Sequence, residues 1–337
     1  MRADRVFAYG AAAGLIGDRI LGDPRRGHPV AAFGRAAAAV ERALWRDDRA
    51  RGALHTAVCV SGAVAVGVLA DRAARALPGA ARAASRVALT AAATWAVVGG
   101  TSLGREARAI GGALAAGDTE VARERLPHLC GRDPQALDDQ QIARAVVESV
   151  AENTSDAVVG ALVWGAVGGV PGLLAFRAVN TLDAMVGHRS PRHLRYGWAS
   201  ARLDDLAGWP GARLTALAAA LAGPDPRGAV RAWRADAAAH PSPNAGPVEA
   251  SFAGALGVRL GGTLAYGGRV EHRAVLNGGH GRPVEVADIE RAVRLSRRVT
   301  WVALGTCVAG RCAAAGVRRA VRAARTGRTA RVRRGRG

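Results

Sequence analysis

The sequence predicts an all-α fold: a polytopic integral membrane helical domain with a re-entrant or broken helix near Gly168 and Gly172. Three observations predict it. Residues 52–70, 87–104 and 157–176 carry no Asp, Glu, Lys or Arg over 19, 18 and 20 positions, and an uncharged run of about 18 residues is long enough to cross a bilayer as a helix. Each run is closed by charge at both ends, by Arg51 and Asp71, Arg86 and Arg105, and Asp156 and Arg177. The third run contains GGVPG at 168–172, and paired glycines followed by proline break a helix. The runs are rich in alanine, which partitions weakly into lipid. Their number therefore decides for a membrane protein over buried helices of a soluble bundle.

In chain order, shorter apolar pieces at 6–17, 214–223 and 299–310 bring the expected embedded segments to about four to six. The first piece is followed by Asp18 and Asp23 with no small-residue cleavage site, unlike a cleaved signal peptide. Residues 22–35, GDPRRGHPVAAFGR, form a turn, because Gly22, Pro24, Gly27 and Pro29 punctuate it. Residues 138–213 are motif-dense and enclose the third run. There Glu148, Glu152 and Asp156 recur every four residues, which stacks them on one helix face with a drift of about 40° per step. Like charges so placed repel, so the arrangement needs a reason. A straight helix of 20 residues is about 30 Å long and would leave Glu152 and Asp183 on opposite sides of the membrane. A hairpin broken at 168–172 returns them to one side. Residues 240–268, HPSPNAGPVEASFAGALGVRLGGTLAYGG, open as a rigid loop and continue as a small-residue helix from Val248. Residues 1–316 are read as a single membrane-embedded catalytic domain. Residues 317–337, with nine arginines and no acid, are read as a disordered, lipid-facing cytoplasmic tail.

Composition excludes some chemistry. All 47 basic residues are arginine, so neither a P-loop lysine nor Schiff-base catalysis is available. The formal net charge of +20 calls for an anionic partner, either membrane lipid or phosphorylated substrates. With three tyrosines and four phenylalanines the chain lacks the aromatic interleaving of a single-strand binder, and no nucleic acid is expected. Cys59, Cys130, Cys307 and Cys312 make no C-x-x-C pair, hence no disulfide framework or zinc finger.

Ionisable side chains beside apolar spans are functional candidates. The acids Glu148, Glu152 and Asp156 suit Mg²⁺, which takes hard oxygen ligands and bridges to phosphates. Arg202, just before Asp204 and Asp205, suits a phosphate oxygen. His28 and His240, taken alone, read as structural, and their spacing fits no zinc motif.

Four phrases together resemble one family closely: GDPRRGHPV, VESVAENTSDAVVGALVWGAVGGVPGLLAFRAVNTLDAMVGH, ASARLDDLAGWPGARLTAL and the 240–268 block. They are similar, in the same order, to the adenosylcobinamide-phosphate synthase family of cobalamin biosynthesis. The resemblance implies a multi-pass enzyme of the inner (cytoplasmic) membrane whose active site faces the cytoplasm. It implies attachment of aminopropanol, or its O-phosphate, to the propionate carboxyl of adenosylcobyric acid, with ATP as energy source and Mg²⁺ as activator. Carried onto this chain, it implies catalytic roles for Glu148, Glu152, Asn153 and Asp183 and metal ligation by Glu152, Asp156 and Asp183. It further implies substrate or phosphate contacts from His28, Arg202, Asp204, Asp205, His240, Ser242, Asn244 and Glu249. His188 stands where the family has an aromatic, usually tyrosine, and AGWPGARL varies a stretch usually closer to N-IPARL. Both departures touch substrate contacts and leave the acids intact. A non-catalytic transporter or sensor sharing the fold is the alternative. A lipid-headgroup phosphotransferase is disfavoured, because the D-x-x-D-G-x-x-A-R pattern is absent.

Overall fold

A computed structural model describes residues 1–24, 27–131, 134–188, 190–266 and 269–334, without the side chains of 136, 263–272 and 322–334. The first uncharged run lies wholly inside α3 (Arg49–Ala76). Asp48 starts this helix by accepting the Arg51 N–H at 3.0 Å, satisfying a donor that the first turn leaves open. The second run is divided, which corrects the expectation of one straight span. α4 (Gly79–Val97) stops at an extended Val98, and α5 (Gly100–Ala115) starts afresh. The restart is tied to the end of α1 (Ala3–Leu21). There the Thr101 N–H and hydroxyl donate to the Asp18 carboxylate at 3.0 and 2.8 Å. α1 and α4 approach closely, because Gly10 and Gly14 face Thr90 and Thr94 with no space for a Cβ. This is the small-xxx-small packing of membrane helices.

Three stretches are long and apolar enough to cross a membrane: α3, the bent pair α4–α5, and residues 286–321 of α13 (Val286–Arg334). Their outward faces keep apolar side chains exposed, among them Leu54, Val58, Val66 and Leu69 on α3 and Trp301 on α13. Such a surface belongs against lipid.

The third run is a helical hairpin. α7 (Asp139–Asn153) starts with a capping box of Asp138 and Gln141, passes through a π-helical segment at Thr154–Val159 and continues as α8 (Gly160–Gly168). Gly169, at φ 66°, turns the chain in a conformation that costs other residues energy. α9 (Val170–Leu182), with Pro171 in its first turn, then returns alongside. Gly160 lies against the Phe176 ring and Gly172 against the Trp164 carbonyl, so the two arms are in antiparallel register and Asn153 and Asp183 finish at the same end. A second π-helical segment, Asp183–Gly187, follows.

The hairpin fixes the direction of α13. At the open end the Thr154 hydroxyl bonds the Ser296 hydroxyl at 2.6 Å. At the tip the Arg311 guanidinium donates to the carbonyls of Gly165, at 3.3 Å, and Ala166. α13 therefore runs from open end to tip, and the arginine-rich stretch lies beyond the tip. Two expectations change. The composition shift at Val317 does not interrupt the helix, which continues through Arg334 because residues 317–334 contain no proline; side chains beyond Val321 lie outside the described residues. The tail and the acids also lie at opposite ends of α13, so a membrane-crossing α13 puts them in different compartments.

The remaining α-helices are α2 (Pro29–Leu44), α6 (Thr119–Arg125), α10 (Trp198–Ala222), α11 (Pro226–Asp236) and α12 (Ala245–Leu256). α12 starts three residues before the expected Val248, where the Ser242 hydroxyl accepts the Ala245 N–H at 3.1 Å. It ends at a left-handed Gly257 (φ 69°). The remainder of that block is a small strand pair set into the otherwise helical, all-α fold. β1 (Leu260–Tyr266) and β2 (Arg269–Leu276) form an antiparallel hairpin with an irregularity between Leu260 and Gly262. Its root is pinned by Leu260 and Leu276, which join one continuous core with Phe7, Ile110, Ile142, Leu162, Leu173 and Phe252.

Candidate active site

The helical hairpin decides which acids meet. Glu152 and Asp156 leave one arm at its open end, and Asp183 leaves the other. Asp204, on the first turns of α10, faces them: Asp156 lies within electrostatic reach of Asp204, Glu152 and Asp183. All four side chains keep partial access to solvent. Burial, and then the neighbouring Asp183, push the Asp204 carboxyl up to about 7, against a lowering hydrogen bond from Asn180. Its Oδ1 is buried with no hydrogen-bond partner. One arginine belongs to this group. Arg177 of α9 lies within electrostatic reach of Asp156 and of Asp23 in the first turn, and its Nη1 donates to Asn180 Oδ1 at 3.3 Å.

Glu148 does not join them. It is 3% exposed and its Oε1 accepts the Gly261 N–H of β1 at 2.7 Å, with Arg144 at 4.0 Å. Glu148 and Glu152 both lie on α7, before the π-helical segment; Glu148 is one turn further from the open end, and its carboxylate is taken up by the β1 backbone. Glu148 instead looks toward a second polar group around His240. The Ser242 N–H donates to His240 Nδ1 at 3.0 Å, and Nε2 lies 3.5 Å from Arg273 Nη1 and 3.7 Å from the buried Glu249 carboxylate. Burial, and then Arg273, hold His240 below the ordinary histidine range, opposed by Ser242 and Glu148, so the ring is neutral at pH 7. Beside this group a cavity of ≈ 370 Å³ opens at the root of the β-hairpin, walled in part by Arg144, Arg259, Gln140 and Gln141.

The other expected residues fall around these two groups. Asn244 joins the blocks: its Nδ2 donates to the Asp205 carbonyl at 2.9 Å and its Oδ1 accepts from Arg213 at 2.9 Å. Asn153 donates to the Ser149 carbonyl at 2.9 Å, one turn back on its own helix. Arg202 is an exposed partner of Asp205 at 3.6 Å. His28 accepts the Val30 N–H at 3.1 Å as the N-cap of α2 and lies 3.5 Å from Asp23. Ser242 accepts from the N–H groups of Asn244 and Ala245. Sequence reasoning missed Arg177, Arg144 and Arg273 as site residues. Arg177 carried a usable signal, since it is the first charge after a 20-residue uncharged run.

Among the described residues, no three His, Cys, Asp or Glu side chains stand as a ready metal cage. The donor set still suits Mg²⁺. It is all oxygen, it includes the unpartnered Asp204 Oδ1, and Mg²⁺ binds through one or two carboxylates while keeping water and phosphate oxygens.

Spanning helices, a re-entrant hairpin and a carboxylate cluster at its open end define a polytopic membrane protein with a built polar site. The chain belongs to the CobD/Cbib protein family of cobalamin biosynthesis, whose sequence profile matches residues 11–296, a span that holds every residue of the two polar groups and excludes the tail. The "Cobalamin biosynthesis protein CobD" of Mycobacterium tuberculosis (strain ATCC 25618 / H37Rv) is 55% identical over 296 residues, covering 87% of this chain and 92% of that protein. Proteins of the same name are 44% identical in Chromobacterium violaceum, over 86% of this chain and 91% of theirs, and 40% identical in Rhizobium meliloti, over 83% and 89%. No solved structure matches the chain.

Proposed function

We propose that this protein is an adenosylcobinamide-phosphate synthase, an ATP-dependent ligase of the inner membrane. It joins aminopropanol, or its O-phosphate, to the propionate carboxyl of adenosylcobyric acid through an amide bond. The observation that carries the reading is the gathering of Glu152, Asp156, Asp183 and Asp204 beside Arg177 at the open end of the hairpin. A carboxylate and an ammonium do not condense in water. In the proposed route a propionate oxygen attacks the γ-phosphorus of ATP and ADP leaves. The free amine then attacks the acyl carbon, phosphate leaves, and the ammonium proton passes to a base. Mg²⁺ held by Glu152, Asp156 and Asp183 would neutralise charge on the phosphates. Arg177, with Arg144 and Arg259 at the neighbouring cavity, supplies the fixed cations for phosphate oxygens. The neutral His240 with Glu249 is the proton acceptor within the site. Positioning and preorganised charge carry such a reaction without lysine or a P-loop.

The test is turnover by the purified protein in detergent with adenosylcobyric acid and aminopropanol or its O-phosphate. Product mass should increase by the amino alcohol less water, with one ADP formed per amide. Product formed equally without ATP would overturn the ligase assignment. Absence of product with both amines, from a protein that binds corrinoid, would favour the transporter or sensor.

A further inference from the structure

We propose that the cavity at the tip of the α8–α9 hairpin binds the phosphate headgroup of an anionic membrane lipid, at the bilayer face opposite the carboxylate cluster. The cavity measures ≈ 220 Å³ and is walled by Phe7 of α1, Asp71 and Arg75 of α3, Arg86 of α4, Arg311 of α13 and the start of α9. Its height in the membrane is written in the sequence. Asp71 is the first charge after the run at 52–70, Arg86 the last before the run at 87–104, and Arg311 the first after the run at 299–310. Three helices therefore bring the charges that close their apolar runs to one level, where hydrocarbon gives way to headgroups.

The charge balance favours an anion. Three guanidiniums face a single carboxylate, and Asp71 is held by Arg75 at 2.6 Å and Arg86 at 3.4 Å. Arg311 uses Nη1 on the Gly165 and Ala166 carbonyls and stacks over Phe7 at 5.3 Å. Its Nη2 has no protein partner among the described residues. Asp4, at the start of α1, offsets part of this charge. α9 begins at the cavity without a side-chain cap, so its first-turn N–H groups add partial positive charge. At on the order of 30 Å³ per water-sized group, there is room for a phosphodiester and the first atoms of its alcohol. The surroundings select a lipid over a soluble phosphate. The exposed apolar Val66 and Leu69 of α3 offer acyl chains a surface just inside the charged level, and Arg318 and Arg319 continue α13 beyond it. Basic pockets between helices at this depth suit anionic headgroups. A lipid bound here would brace the hairpin whose other end carries Glu152 and Asp183.

The experiment titrates the full-length protein, in neutral detergent, with dioctanoyl phosphatidylglycerol, dioctanoyl phosphatidylcholine and inorganic phosphate. It reads adducts by native mass spectrometry and the midpoint of thermal unfolding, neither of which depends on turnover. Phosphatidylglycerol should bind saturably and raise the midpoint, with the other two far weaker. Arg86→Gln/Arg311→Gln should bind it about tenfold less tightly, while Arg318→Gln/Arg319→Gln should bind as the wild type does. If loss of Arg311 prevents folding, Arg75→Gln/Arg86→Gln replaces that variant with the same expectation. Unchanged affinity in the cavity variant, or equal loss in the tail variant, would overturn the site. An equal midpoint shift with inorganic phosphate would overturn the lipid assignment in favour of a soluble anion.

Discussion

Gly172→Ala should remove most catalytic activity from a protein that still folds, while Gly168→Ala should change little. A Cβ at Gly172 falls on the Trp164 carbonyl oxygen, and that neighbour is backbone, with no rotamer to yield. Carbon and oxygen normally stay about 3.3–3.6 Å apart, so α9 has to retreat from α8 by roughly 1 Å. Overpacking of this kind costs about 1–3 kcal/mol, offset by about 1 kcal/mol from the better helix propensity of alanine. The net leaves a folded protein. The same retreat moves Asp183, eleven residues on, away from Glu152 and Asp156, and a misplacement of about 1 Å can cost about 100-fold in rate. At Gly168 nothing lies within 4 Å of the added Cβ, so that variant controls for alanine in the hairpin. The assay is kcat/KM for ATP-dependent amide formation, beside the thermal midpoint of each variant. Wild-type kcat/KM in a folded Gly172→Ala protein would refute the claim that arm spacing sets the acid cluster.

Other perturbations separate site from scaffold. Glu152→Gln should lower turnover by at least about 100-fold, as loss of a charge in a preorganised site does, with insertion and thermal midpoint unchanged; near-normal turnover would remove Glu152 from the chemistry. Burial raises Glu41, but hydrogen bonds from His193 and Arg192 outweigh it and hold this carboxyl below the usual glutamate range. Its stabilising share is therefore present above the unfolded glutamate value and is lost as pH falls through the lower, folded one. The midpoint gap between wild type and Glu41→Gln should accordingly close between about pH 5 and pH 3, and a gap that widens on acidification would reverse the sign of the argument. Asp288→Asn removes the buried charge that accepts from Arg282 at 2.7 and 2.9 Å and should cost about 2–4 kcal/mol in denaturant unfolding; a loss below about 0.5 kcal/mol would mean that the pair is solvated. With the native cysteines replaced by alanine, cysteines at Leu77 and Val317 should label from one side of the membrane with an impermeant thiol reagent, and a cysteine at Leu194 from the other. Common labelling of Leu194 and Val317 would show that α13 does not cross.

The legible part of the fold was the part written in charge. α3, the α4–α5 pair and the hairpin each sit on an uncharged run, and GGVPG marks the reversal within one residue of Gly169. Less was legible where backbone geometry decides. Glu148, Glu152 and Asp156 have ideal spacing for one α-helical face, yet Glu148 is taken by the distant Gly261 N–H, and the residues of the π turn at Thr154–Val159 have no composition that distinguishes them from an ordinary helix. The break at Val98 is marked only by the pair Gly99–Gly100, without the proline that accompanies the pair at 168–169; the Asp18–Thr101 bonds that stabilise it are long-range. The β-hairpin was hidden because Gly261 and Gly262 interrupt its alternation, and its register depends on Glu148, 113 positions away in sequence. Burying Arg177 beside Asp156 is likewise a property of the folded hairpin, signalled only by the position of that arginine at the end of an apolar run.

The two π turns have a consequence for how such a site could arise. An i→i+5 turn is an α-helical turn with one residue too many, so each behaves as a single-codon insertion absorbed by the helix. Deleting one residue from Thr154–Val159 would leave an uninterrupted helix with better hydrogen-bond geometry, while every side chain beyond it would rotate by about 100°. Asp156 and the whole packing face of α8 would turn away from α9 together. A helix without the extra residue would be more regular and would lack the acid cluster, because the second arm, packed through Phe176 and Trp164, meets the face that the extra residue sets.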